Sequence, residues 1–176
     1  MKTLKWLAGW VFSTIVAIAL VAGALHFVQK PANYLIVPGK SVGAVNLGMT
    51  RAQAEAVMGK PAFIHQNDDG STLLEWGTFG KQAGSDIPLA SVWVVLDASG
   101  VSMAGSDSSL YHLANGISAG ADSKKAYDAL GADGATVFPP SLVAWLQKGV
   151  GFSIDMSNEK GLIRSLFVFV AQPNGQ

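Results

Sequence analysis

The sequence predicts an α+β fold: an N-terminal transmembrane helix followed by two tandem modules, each a short helix plus antiparallel strands. Three observations predict it. One run of 24 uncharged residues, 6–29, separates Lys5 from Lys30. A short, capped helix pattern occurs twice, 72 residues apart. Each occurrence is followed by apolar segments divided by Gly, Asn and Asp turns, and helix-then-strands is the order of α+β rather than parallel α/β chains.

Composition isolates the N-terminus from the rest. The 176 residues are 49% apolar and only 14% charged, against about 25% charged in a usual soluble protein. Beyond residue 30 stand nine Lys/Arg against twelve Asp/Glu. That part is weakly acidic, so no basic field exists to hold a phosphate backbone, and nucleic acid is excluded as a partner. Cys is absent, which excludes both a disulfide scaffold and a lipoprotein anchor.

The first element is read as a tail, residues 1–5, then an anchor, residues 6–28. About 20 helical residues cross a ~30 Å hydrocarbon core. Trp6, Trp10, Val11, Phe12, Ile15, Ile18, Leu20, Leu25 and Phe27 form its lipid-facing set. Lys2 and Lys5 precede the run, which by the positive-inside rule leaves the N-terminus cytoplasmic. The expected location is a bacterial inner membrane, crossed once, with the body periplasmic and membrane lipid as one partner. The competing reading is a cleavable signal, because Ala22-Gly23-Ala24 is an A-x-A site and cleavage would fall after Ala24. An anchor is preferred because apolar sequence runs from Leu4 to Val28, longer than a 7–15 residue signal core.

Residues 29–41, QKPANYLIVPGKS, read as a tether with one short edge strand. The first module, 42–109, opens on a helix pattern over 48–59 and the second, 110–172, on its counterpart over 120–131. Thr50 and Asp122 take the N-cap positions, where a side-chain oxygen accepts from a free N–H of the first turn. Gly59 and Gly131 take the C-terminal positions that favour positive φ. Strands are expected at 62–66, 72–79, 89–97 and from 101, then at 142–147, 150–157 and 162–172. Phe152, Ile154 and Met156 alternate with Ser153, Asp155 and Ser157, the pattern of a sheet wet on one face. The segment LIRSLFVFVAQ does not alternate and reads as covered on both faces. Residues 173–176 are a tail.

The runs VNLGMTRAQAEAVMGKPAF, LEWGTF and VWVVLDASGVSM resemble the small outer-membrane-assembly lipoprotein family of the SmpA/OmlA (BamE-like) type. The tandem repetition resembles the duplicated arrangement of the β-lactamase-inhibitory-protein superfamily. These resemblances imply short helices against an antiparallel sheet, and a non-catalytic envelope protein that binds other envelope or membrane proteins.

Chemical motifs give no enzyme. Gly39-Lys40-Ser41-Val42-Gly43 matches G-x-S-x-G, but the next residues, AVNLG, are a poor helix start, so it lacks the strand-to-helix turn of a nucleophile elbow. The same GKS lacks the upstream Gly of a phosphate loop. His26, His65 and His112 show no metal-ligand spacing, and Asp68-Asp69 sit in an ordinary hairpin turn, NDDGS. No catalytic residue, metal or cofactor is therefore expected. The candidate partner-binding residues are the aromatics Trp76, Phe79, Trp93, Tyr111 and Trp145, because large aromatics dominate interface hot spots. A core role for the three Trp is the competing account. The expected function is a non-enzymatic, membrane-anchored accessory or structural subunit; the alternative is a secreted inhibitor or ligand-binding module released by cleavage after Ala24.

Overall fold

In a computed structural model that describes residues 33–77, 80–81, 88–89, 91–157 and 159–172, local sequence sets both helix boundaries. Helix α1 (Arg51–Met58) starts at a reciprocal capping box: Gln53 N–H donates to Thr50 Oγ1 and Thr50 N–H to Gln53 Oε1. Helix α2 (Ser123–Leu130) starts at Asp122, whose Oδ1 accepts from Lys124 N–H at 2.8 Å. Gly59 (φ 83°) and Gly131 (φ 82°) end them in a backbone region that other residues rarely enter. Eight-residue helices do not persist alone in water. Ala54 on α1, and Ala126 and Leu130 on α2, are accordingly buried.

The remaining elements are strands. They are β1 (Leu35–Val37), β2 (Ser41–Val42), β3 (Val45–Asn46), β4 (Phe63–Gln66), β5 (Thr72–Trp76), β6 (Gly80–Lys81) and β7 (Pro88–Leu89). There follow β8 (Val92–Asp97), β9 (Gly100–Ser106), β10 (His112–Leu113), β11 (Ala135–Phe138), β12 (Leu142–Trp145), β13 (Val150–Ile154) and β14 (Ile163–Phe169). Eight of them form one antiparallel sheet in the order β11-β12-β13-β14-β9-β8-β5-β4. Four more form a small sheet, β10-β1-β2-β3, and β6 pairs with β7. Each helix precedes four strands of the large sheet, and the two halves meet where β9 pairs with β14.

One face of the large sheet carries the core. Leu74, Trp76, Val92, Val94, Ala104, Leu166, Val168, Val150, Phe152, Val143 and Trp145 are buried there with Ala54, Ala126 and Leu130 of the helices. The small sheet adds Ile36, Val42, Val45 and Leu113 to the same core. It is tied to the large sheet through backbone bonds from Gly48 N–H to Val101 O and from Gly39 N–H to Gly149 O.

This architecture corrects the expected fold class. The described residues are predominantly strand, with two eight-residue α-helices, and they do not form two helix-plus-strand modules with sheets of their own. The physical reason is hydrogen-bond accounting: within each half, successive strands of the large sheet pair antiparallel with one another. The two innermost strands, left with open edges, satisfy each other. From Asn33 onward the chain forms one compact unit. The expected edge strand in the tether is instead interior, since β1 lies between β10 and β2 and buries Ile36.

The expected transmembrane helix, signal-anchor and single-pass inner-membrane location are likewise corrected: among the described residues no helix is long and apolar enough to cross a membrane. Trp6, Trp10, Val11, Phe12, Ile15, Ile18, Leu20, Leu25 and Phe27, with the site after Ala24, lie outside the described residues, as do Phe79 and the tail 173–176.

Candidate functional site

Strand alternation divides the aromatic residues between the two faces of the large sheet. On β8, Val92, Val94 and Leu96 point into the core, so Trp93 and Val95 occupy the opposite, helix-free face, where Trp93 is half-buried. On β14, Leu166 and Val168 are core residues, which sends Phe167 and Phe169 to the same face as Trp93. Register then aligns one cross-strand row over all eight strands: Phe63, Glu75, Trp93, Gly105, Phe167, Gly151, Ala144 and Thr136.

The two glycines of this row determine how its rings lie. A Cβ on Gly105 would stand 2.2 Å from Trp93 Cζ2, and one on Gly151 would stand 2.6 Å from Phe167 Cζ. Each ring therefore lies down across the next strand, over a position with no side chain, which is the close-approach role of a strand glycine. Trp93 and Phe167 have centroids 6.2 Å apart at 40°, and Phe167 and Phe169 are 6.2 Å apart at 37°. The Trp93 indole N–H is shared between Asp107 Oδ1 and Ser165 Oγ, both at 3.2 Å, which holds its rotamer.

Carboxylates border the aromatic row. Glu75 faces Trp93 across the β5–β8 ladder. Burial raises the Glu75 carboxyl above its ordinary range, the negative charge of Asp107 raises it further, and His65 partly offsets both. This face thus presents a row of aromatic rings, with the Trp93 indole held by hydrogen bonds and carboxylates beside it.

The other candidates fall elsewhere. Trp76 (4% exposed) and Trp145 (1%) are buried in the core. Both stand on the core-side parity of their strands, Trp76 with Leu74 and Trp145 with Val143, which directs their rings under the helices. Tyr111 is half-buried beside the small sheet, its ring edge-on to Tyr34 at 5.2 Å. Burial and then Tyr34 raise its phenol above the ordinary range. Ser41 opens β2 and is buried, between turns at Gly39 and Gly43 with positive φ, so no strand-to-helix elbow surrounds it. Asp69 caps its own turn by accepting from the backbone and hydroxyl of Ser71. Among the described residues no group of three or more His, Asp or Glu is placed to hold a metal ion.

Sequence reasoning singled out Trp93 but missed Phe167, Phe169, Gly105 and Gly151. The available signal was the pair of glycines inside otherwise apolar strand segments, MAGS and VGFS. Comparison with known proteins finds no matching family model, no matching curated protein and no matching solved structure.

Proposed function

We propose that the protein is a non-catalytic binding module, an accessory or structural subunit that docks a partner protein on the helix-free sheet face around Trp93. The observation that carries this reading is Trp93 itself. Its ring is laid flat over Gly105, fixed by Asp107 and Ser165, and left half-exposed next to Phe167. A large aromatic already held in one rotamer loses little side-chain entropy on binding, and preorganisation of this kind favours affinity. Protein binding is also what the resemblance to the duplicated inhibitory arrangement implies.

The test is site-specific photocrosslinking in cells that make the protein. A photoreactive residue at Met103 or Val95, on the platform face, is expected to capture a discrete partner, and Trp93→Ala is expected to abolish capture while the fold persists. A probe at Val57, exposed on α1, is the control. Equal capture from both faces, or capture indifferent to Trp93→Ala, would refute the docking face.

A further inference from the structure

We propose that the outer edge of β4 pairs antiparallel with the β4 edge of a second copy of this chain. Among the described residues β4 is hydrogen-bonded on one side only, to β5, and all four of its residues are exposed. Ile64 (51% exposed) is one of the exposed large apolar side chains among the described residues. Sheet edges are normally blunted by charge, Pro or a bulge, because an open edge is a template for another strand. The opposite edge strand, β11, runs directly into Pro139-Pro140, which cannot donate to a ladder. β4, FIHQ, carries neither charge nor Pro.

Charge placement selects a second copy and one register. Lys60 precedes β4 and Asp68 follows it, and both are exposed. Hydrogen-bonded and non-hydrogen-bonded pairs alternate along an antiparallel ladder, so a two-fold axis must pass through a residue that faces itself. With Ile64 on the axis, Ile64 meets Ile64 of the second copy and Phe63 meets His65. Lys60 then stands at the Asp68 end of the other chain, twice per dimer. With His65 on the axis, Lys60 would meet Gly70 and the match is lost. Parallel pairing would set Lys60 beside Lys60. The interface is small, so the association is weak and concentration-dependent.

Sedimentation of the full-length protein over a concentration series tests this. A monomer–dimer equilibrium is expected, with Lys60→Asp or Asp68→Lys each weakening it by about tenfold or more through like charges. An equimolar mixture of the two variants should recover wild-type association, because the mixed dimer again sets opposite charges at both ends. Ile64→Lys should prevent pairing and Trp93→Ala should leave it unchanged, which separates this edge from the docking face. A monomer at every concentration overturns the proposal. So does a dimer indifferent to these edge substitutions, or a β4 that takes an extended peptide of another protein while the chain stays monomeric.

Discussion

Trp145 donates its indole N–H to the carbonyl of Gly131 at 2.7 Å, fastening strand β12 to the C-terminal end of helix α2. The other half of the sheet repeats the device, with Trp76 donating to Gly59 at 2.8 Å. In each half a core tryptophan satisfies the carbonyl of the glycine that ends the helix, one of the groups a helix terminus leaves without an internal partner. Around α2 the arrangement is reinforced: Lys148 Nζ donates to the Leu130 carbonyl, and Trp145 packs against Tyr127 and Phe152.

Removing the indole N–H while keeping an aromatic ring should therefore loosen helix from sheet. Trp145→Phe is expected to cost about 1–3 kcal/mol, a lost hydrogen bond to the Gly131 carbonyl plus some unfilled volume in the core. Trp145→Ala should cost about 3–5 kcal/mol. Trp76→Phe should cost less than Trp145→Phe, because Trp145 also holds two aromatic neighbours. Urea unfolding midpoints measure all three, and a Trp145→Phe protein as stable as wild type would remove the hydrogen bond from the account.

Gly105→Ala tests the platform directly. Gly105 has no positive φ to relieve, so the added methyl acts through space, 2.2 Å from Trp93 Cζ2 and 2.9 Å from the Leu166 carbonyl. Overpacking of this kind costs about 1–3 kcal/mol. The Trp93 ring should lift, changing the near-ultraviolet circular dichroism. In a Trp93→Ala background the cost should fall without vanishing, since the Leu166 carbonyl remains. An equal cost in both backgrounds would show that the ring does not lie over Gly105.

These two cases mark how far the sequence was legible. Helix boundaries were readable because Thr50, Gln53, Gly59, Asp122 and Gly131 act within a few residues of themselves. The fold class was misread because the joining of the halves through Phe167, opposite Gly105, depends on residues 62 positions apart. The tryptophans could not be sorted without strand boundaries. Trp76 and Trp93 both lie in apolar strands, and a one-residue change of parity exchanges core for platform. Phe167 and Phe169 were hidden for a related reason. β14 is buried on much of both faces, so alternation offers no contrast between a ring over Gly151 and one in the core.

Acid should weaken the fold through three copies of one local motif. Asp69, Asp97 and Asp155 each accept, at Oδ1, both the hydroxyl and the backbone N–H of the Ser two residues on. Those bonds, the hydroxyl's first, hold all three carboxyls below their ordinary range. A depressed folded pKa contributes stability that is present above the unfolded value, 3.8, and is lost as pH falls through the folded one. The double variant Ser99→Ala/Ser157→Ala should therefore move the midpoint of acid unfolding, followed by circular dichroism, to higher pH. An unmoved midpoint would mean that the turns are not what acid breaks.

Glu75 should act in the opposite direction. Its carboxyl is raised by burial first and by Asp107 second, so the folded protein binds this proton more tightly than the unfolded chain does. The contribution is fully present below the ordinary Glu value, 4.5, and is lost as pH rises through the folded pKa. At neutral pH the charge beside Trp93 is a liability to folding. Glu75→Gln is neutral at every pH and should be more stable than wild type at pH 7, with the difference closing as the pH approaches 4.5. Asp107→Asn should narrow the gap without closing it, because burial is the larger cause and an amide oxygen still accepts from Trp93. Urea midpoints from pH 4 to pH 8 measure the gap, and a difference that is constant with pH, or reversed, would place Glu75 in an environment no less favourable to its charge than water.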